Sequence, residues 1–159
     1  EQLGTGIGTT ISGVQRLRKL NGDYYIKMEN LTSPAQGPIP GFTMTGYETI
    51  MLKDYLPVGG TWTDKYSQTT TYTDPIFPVI SLDFDVIATV MEKNSSITIA
   101  GHKYTDVIKI KYIQKVTMVG QTTTVTSYYW YSKNVGPIKM TSETGGQTVV
   151  QELDSYIVK

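Results

Sequence analysis

The chain has 159 residues, and its 14 basic side chains balance its 14 acidic ones, so the formal net charge is zero at pH 7. This balance argues against a nucleic-acid-binding protein, which normally carries a basic excess. With no cysteine and one histidine, the sequence excludes thiol catalysis, thiolate metal sites and disulfides.

The composition favours β-structure. There are 24 threonines and 12 tyrosines, which suit a pleated, half-buried surface, but only three alanines. A hydrophobic fraction of 39% is typical of a globular protein. We therefore interpret residues 1–159 as one domain, and we expect the glycine- and threonine-rich segment 1–13 to be flexible or to pair with a sheet edge.

The first third of the chain combines a hairpin signal with an ambiguous segment. Asn21-Gly22 separates two alternating runs, and this dipeptide suits the tight turn of a β-hairpin. Residues 33–41 hold three prolines and two glycines, which predicts a loop. Tyr47–Leu56 fits a helix with a capping box at its start, but a strand fits nearly as well.

From Gly59 onward, alternation of polar and apolar residues predicts strands. We expect a turn at 93–95, a long strand over Tyr104–Met118 and a strand over Gly136–Thr144. The sequence therefore predicts an all-β fold, a curved antiparallel meander or open half-barrel of about eight to ten strands with at most one short helix. The clearest strand has six apolar side chains on one face: Ile80, Leu82, Phe84, Val86, Ala88 and Val90.

Candidate catalytic residues are few. His102 stands alone in a predicted turn, and a catalytic histidine needs a positioned partner. Asp83 and Asp85 project from one face of a predicted strand, where paired carboxylates can serve glycoside hydrolysis or bind Ca²⁺. A solvated sheet face explains the pair more simply, because no calcium-loop motif surrounds it. We expect no catalytic residue, no metal site and no cofactor.

The run Tyr128-Tyr129-Trp130-Tyr131 puts large aromatic side chains on both faces of a predicted strand. Burial on both faces explains this run without a ligand. Alternatively, one face is a recognition surface, since aromatic side chains in concave sheets stack on sugars or line apolar cavities. On this second interpretation we expect four residues to line a ligand site: Trp62, Tyr66, Tyr128 and Trp130.

Four short motifs follow one another in the last hundred residues: Leu56–Trp62, Ile97–Ile110, Tyr129–Lys139 and Glu152–Tyr156. Together they resemble an uncharacterised family of exported bacterial domains, mostly lipoproteins and secreted proteins. The resemblance implies a curved antiparallel sheet similar to the half-barrels of lipoprotein carriers, and it implies no catalytic residues. Pro137 departs from the aliphatic residue that is commoner at its place.

These observations predict a non-catalytic extracytoplasmic binding module that holds an apolar or amphipathic ligand, such as a lipid, in a concave sheet face. The alternative is a cell-surface interaction protein that contacts glycan or protein through exposed aromatic side chains. The resemblance implies that the protein is located in the periplasm or on the cell surface, either secreted or lipid-anchored. We expect membrane attachment only through a lipid anchor upstream of Glu1. A third hypothesis, a glycosidase using Asp83 or Asp85, requires two carboxyl groups about 5–9 Å apart.

Overall fold

The computed structural model describes residues 14–155, so the segment 1–13 that we expect to be flexible or edge-pairing lies outside the described residues. Eleven strands and no helix form the described part of the chain. The strands are β1 (Gln15–Leu20), β2 (Asp23–Met28), β3 (Leu31–Ser33), β4 (Phe42–Met44), β5 (Tyr47–Lys53), β6 (Thr61–Tyr72), β7 (Ile80–Ile99), β8 (His102–Met118), β9 (Gln121–Ser132), β10 (Gly136–Thr144) and β11 (Gln147–Glu152).

The strands form two antiparallel sheets, and neither sheet closes into a barrel. One sheet has three strands in the order β1-β2-β5. The other has eight in the order β11-β10-β9-β8-β7-β6-β4-β3. From β6 to β11 each strand lies beside the next one in the sequence, as in a meander. The predicted all-β, open antiparallel fold is confirmed.

Turn residues set several strand boundaries where the sequence predicts them. Asn21 and Gly22 have φ angles of 52° and 89° and close the hairpin of β1 and β2. Gly145 and Gly146, at 57° and 80°, close the hairpin of β10 and β11. Two consecutive residues with positive φ match the twist of a two-residue hairpin turn. The predicted strand Gly136–Thr144 is confirmed as β10.

The predicted turn at 93–95 is wrong, because β7 continues through these residues. Asn94 has a φ of 55° inside the strand, which marks a β-bulge. Before Asn94 the buried side chains fall at even positions, such as Val86 and Val90, and after it Ile99 is buried at an odd one. The extra residue of the bulge shifts the alternation, and asparagine tolerates the left-handed backbone there.

Residues 47–53 form strand β5, so for Tyr47–Leu56 the strand alternative is correct and the helix is not. β5 pairs antiparallel with β2, and Tyr47 lies opposite Met28. The local preferences for helix and strand are close in this segment. Pairing with β2 therefore decides between them, as tertiary context does for short segments.

The chain divides into two compact units. The first unit comprises the described part of Glu1–Lys53 together with Lys65–Phe84 and Thr117–Gln121. The second unit comprises Asp54–Asp64, Asp85–Val116 and the described part of Thr122–Lys159. The interpretation of 1–159 as one domain remains a prediction.

The larger hydrophobic core of the described residues lies in the second unit. Ile99, Tyr104, Val107 and Ile138 form a buried cluster there, and further apolar side chains pack against it. In the described part of the first unit, Leu52 is the one hydrophobic residue that is buried, with 7% of its surface exposed. The first unit therefore leaves more of its apolar side chains in contact with water.

Candidate functional site

Trp62, the first of the predicted ligand-lining residues, lies in an aromatic row in the second unit. Its side chain is 6% exposed, and its ring meets that of Tyr112 edge-on with centroids 6.0 Å apart. Tyr112 meets Tyr129 edge-on at 5.2 Å, and Tyr129 stacks on Tyr131 at 6.0 Å. Trp62 is therefore packed against protein rather than open to a ligand.

Burial sets the protonation state of two tyrosines in this row. It raises the pKa of the Tyr112 and Tyr131 hydroxyls well above the ordinary tyrosine value. The two hydroxyls are hydrogen-bonded to each other, which raises the pKa of Tyr131 further and opposes the rise at Tyr112. Both phenols therefore stay neutral at physiological pH, as a packed core requires.

One polar atom of the row has no partner. Among the buried side-chain nitrogens and oxygens of the described residues, Nε1 of Trp62 alone makes no hydrogen bond. A buried donor without an acceptor costs about 1–3 kcal/mol.

Tyr66, the second predicted lining residue, belongs to the first unit and lies inside an aromatic stack. Its ring centroid is 4.3 Å from that of Tyr47 and 4.6 Å from that of Phe84, with interplanar angles of 10° and 13°. Burial raises the pKa of the Tyr47 hydroxyl, so this stack is partly shielded from water. Two parallel neighbours occupy the faces of the Tyr66 ring on which a ligand would stack.

Tyr128 and Trp130 lie on the face of β9 opposite to Tyr129 and Tyr131, because side chains alternate along a strand. Their ring centroids are 6.4 Å apart and tilted by 43°. Both side chains are half-buried, and Trp130 packs against the hydrophobic cluster that includes Val107. The aromatic run therefore contributes to the packing on both faces of its strand.

Two lysines flank the pair formed by Tyr128 and Trp130. Lys109 Nζ lies 5.5 Å from the Tyr128 ring centroid and 5.0 Å from that of Trp130, and Lys139 Nζ lies 5.7 Å from Trp130. These distances are within the range of cation–π attraction. Each lysine also forms an ion pair with a glutamate on a neighbouring strand, at 3.2 and 2.6 Å. We call these six residues the aromatic face: Glu92, Lys109, Tyr128, Trp130, Lys139 and Glu152.

The four predicted lining residues therefore occupy three different settings. Trp62 belongs to the aromatic row of the second unit, and Tyr66 belongs to the stack of the first. Tyr128 and Trp130 adjoin each other on the aromatic face. The role of these four residues in ligand binding remains a prediction.

Asp83 and His102, two of the candidate catalytic residues, lie at exposed positions. Asp83 is exposed and accepts a hydrogen bond from Ser67 Oγ at 2.6 Å. His102 is exposed at the first position of β8.

Residues 14–155 contain no group of three or more histidine, aspartate or glutamate side chains that could hold a metal ion. Over the same residues, no helix is long and apolar enough to cross a membrane.

The first unit exposes large apolar side chains on three connections between strands. These are the loop between β3 and β4, the loop between β6 and β7, and the turn between β8 and β9. Ile76 is 80% exposed and Val119 is 93% exposed, and clusters of such side chains mark contact surfaces. We call this set the apolar end: Ile39, Ile76, Phe77, Val79 and Val119.

Backbone and ring contacts hold the two loops of the apolar end. Thr73 N–H donates to the Gly41 carbonyl at 2.8 Å, which ties one loop to the other. The Phe77 ring lies 5.4 Å from that of Tyr72, which lies 6.5 Å from that of Phe42. Because β6 and β8 flank β7 in an antiparallel sheet, both end at the same edge, where the third connection follows β8.

Alternation along the sequence does not predict the apolar end. Prolines at positions 75 and 78 interrupt the alternation, and Ile76 and Phe77 lie between them. The sequence signal that could have predicted this surface is a pair of large apolar residues that two prolines confine to a short loop. Asp74 is the one charged residue in segments 34–41 and 73–79, and its carboxylate accepts the Ile76 N–H at 3.0 Å.

An open groove of about 670 Å³ also lies in the first unit, lined by residues of β1, β2 and β5. Arg16 donates to Glu29 at 3.0 Å, and this contact, with Lys27 nearby, lowers the pKa of the Glu29 carboxyl. Arg18 donates to Glu48, which raises the pKa of Arg18. Because these cations contact carboxylates, the groove has little net charge with which to attract an anion.

Comparisons with protein-family models, with curated proteins and with solved structures found no match to this chain. The resemblance to exported lipoprotein domains therefore remains an interpretation of the sequence motifs.

Proposed function

We propose that the chain is a non-catalytic, extracytoplasmic interaction module that contacts a lipid surface through the apolar end. One observation carries the proposal: five large apolar side chains of the first unit are exposed on connections between strands. The sequence predicts an apolar ligand enclosed by the sheet. The packed settings of Trp62 and Tyr66 favour contact at the outer surface instead.

Burial of the apolar end supplies the attraction. Moving a valine, isoleucine or phenylalanine side chain completely out of water contributes about 1.5–3 kcal/mol. The opposing cost of removing charges from water is small, because Asp74 is the one charged residue of the two loops and its carboxylate already accepts a backbone N–H. The apolar end therefore suits the boundary between lipid headgroups and acyl chains.

The location that the sequence motifs imply fits this proposal. A single acyl chain gives marginal and reversible attachment to a membrane, so stable attachment needs a second signal. On a lipoprotein, the apolar end would be that second signal. Fractionation of the native source tests the location, and recovery of the protein from the cytoplasm would count against it.

The test of lipid contact is co-sedimentation of the purified chain with neutral phosphatidylcholine vesicles. We expect the wild-type chain to bind, and the double variant Ile76→Ser/Phe77→Ser to lose at least about tenfold in partition coefficient. The loss follows because two side chains no longer leave water. The double variant Ile87→Ser/Met91→Ser is the matched control, since both residues are exposed on β7 in the second unit.

The control variant should bind vesicles as the wild-type chain does, and both variants should keep the far-ultraviolet circular dichroism of a β protein. Equal binding by the Ile76→Ser/Phe77→Ser variant would contradict the proposal. A wild-type chain that stays in the supernatant at every lipid concentration would contradict it as well.

The aromatic face supports a second candidate function, contact with a glycan. Two aromatic rings stand beside ammonium and carboxylate groups, which offer a stacking surface together with hydrogen-bond donors and acceptors for hydroxyls. Binding to a glycan array tests this candidate. We expect Tyr128→Ala to lose the signal and Tyr55→Ala, at an exposed tyrosine outside the aromatic face, to keep it. Equal signals from both variants would exclude the aromatic face.

A further inference from the structure

The described strands differ in how their sheet edges are protected. An edge strand presents unpaired N–H and C=O groups that can pair with another chain, so proteins shorten, cover or charge their edges. β3 has three residues, and the side chains of β5 are buried or half-buried. β1 and β11 are the other two edges, and each has six residues, all of them exposed.

The backbone groups of β11 that face the open edge follow from its pairing with β10. Leu153 N–H donates to the Ile138 carbonyl at 2.9 Å, which makes this pair a hydrogen-bonded one. Hydrogen-bonded and non-hydrogen-bonded pairs alternate along antiparallel strands. The odd-numbered residues of β11 therefore bond to β10, and Thr148, Val150 and Glu152 direct their N–H and C=O groups away from it.

The same reasoning identifies the outward groups of β1. Glu29 N–H donates to the Val14 carbonyl at 3.1 Å, so the even-numbered residues of this strand bond to β2. Gln15 and Leu17 then direct their backbone groups toward the open edge. Leu17 also has an exposed side chain, as Val150 does on β11.

The two edges differ in the charged residues that they carry. β1 has the sequence QRLRKL, with three basic residues and no acidic one. β11 has the sequence QTVVQE, with one acidic residue and no basic one, and exposed Glu143 and Asp154 lie near it. Two antiparallel β1 strands would place basic side chains opposite one another, which is destabilising, whereas β11 has no basic side chain to oppose them.

We propose that β1 of one copy of the chain adds to β11 of a second copy as a neighbouring antiparallel strand. When the two six-residue strands overlap completely, Gln15 lies opposite Glu152 and Leu17 lies opposite Val150. In this register the outward backbone groups of both strands face each other, and two exposed apolar side chains form a cross-strand pair. The contact joins two different surfaces, so each copy keeps one edge for a further copy. The proposal is independent of lipid binding.

Sedimentation velocity of the purified chain tests the proposal. We expect the wild-type chain to form oligomers that grow with concentration. Leu17→Pro and Val150→Pro each remove an outward N–H while leaving the bonds to the neighbouring strand in place, as proline allows at an edge. Each variant alone should therefore be monomeric. Val150→Thr keeps the N–H and is the control that should still associate.

An equimolar mixture of the two proline variants gives the decisive result. The Leu17→Pro copy keeps its β11 and the Val150→Pro copy keeps its β1, so the mixture should form one-to-one dimers and nothing larger. Association of Leu17→Pro by itself would indicate that β11 pairs with β11, and would overturn the proposal. A wild-type chain that is monomeric at all concentrations would overturn it too.

A charge variant guards against loss of structure in the proline variants. Gln15→Glu leaves every backbone bond and the ion pairs of Arg16 and Arg18 intact, and it places a carboxylate opposite Glu152 in the proposed register. We expect its association to weaken by up to about fivefold relative to the wild-type chain, because like charges directly opposite each other are destabilising. Association as strong as that of the wild-type chain would overturn the proposal.

Discussion

Tyr112 and Tyr131 make the stability of the second unit sensitive to alkali. Their pKa values are raised by burial in the folded chain, whereas in the unfolded chain they take the ordinary value near 10. Above this pH the unfolded chain releases protons that the folded chain retains. The free energy of unfolding is therefore complete below about pH 10 and falls as the pH rises further.

Replacement of one phenol tests this behaviour. We expect Tyr131→Phe to lower the free energy of unfolding near neutral pH by about 1 kcal/mol, because a hydrogen bond is lost. Above pH 10 its stability should fall less steeply than that of the wild-type chain, since one buried phenol no longer ionises on unfolding. Urea unfolding at a series of pH values measures both quantities. Tyr55→Phe, at an exposed position, should leave the slope unchanged, and equal slopes for all three proteins would refute the explanation.

Single residues also show what the sequence could and could not predict about the site. Tyr128 and Trp130 are two apart in one strand, so alternation alone predicts that they share a face. The burial of Trp62 depends on Tyr112, which is fifty positions away and on another strand. No local pattern predicts that contact. The sequence therefore could not distinguish a buried Trp62 from one that lines a ligand site.

At the scale of elements, alternation predicted the strands well and the bulges poorly. Gly136–Thr144 was predictable because a glycine pair ends it, and glycine readily takes the positive φ of a tight turn. Asn94 was misassigned to a turn because asparagine accepts positive φ equally in a turn and in a bulge. Which of the two forms depends on the strands that pair on either side, and this information is not local.

The bulge at Asn94 makes a specific prediction about stability. A β-branched residue is strained at a φ of 55°, so Asn94→Val should lower the free energy of unfolding by about 1–2 kcal/mol. Asn94→Gly should lower it by a few tenths at most, since glycine takes this conformation without strain. Ser96→Val, at an exposed position of the same strand, should change it by less than about 0.5 kcal/mol. Chemical denaturation compares the three variants, and equal effects of valine at both positions would refute the bulge.

At the scale of the whole molecule, the sequence predicted the fold class and missed the exposed surface. Recurring turns and alternating runs are local signals, and together they predicted an open antiparallel meander. Exposure of the apolar end depends on whether another segment covers these loops, which alternation cannot reveal. Isoleucine and phenylalanine are typical of a hydrophobic core, so only their position in the fold shows that Ile76 and Phe77 are exposed.

The most direct measurement of lipid contact is the depth of a spin label attached to the apolar end. Because the chain has no cysteine, Ile76→Cys and Ile87→Cys each provide a single labelling site, the second as a control in the second unit. In the presence of phosphatidylcholine vesicles, the label at position 76 should become accessible to apolar oxygen and protected from a water-soluble relaxation agent, while the label at position 87 stays in water. A label at position 76 that remains as water-accessible as the label at position 87 would contradict lipid contact through the apolar end.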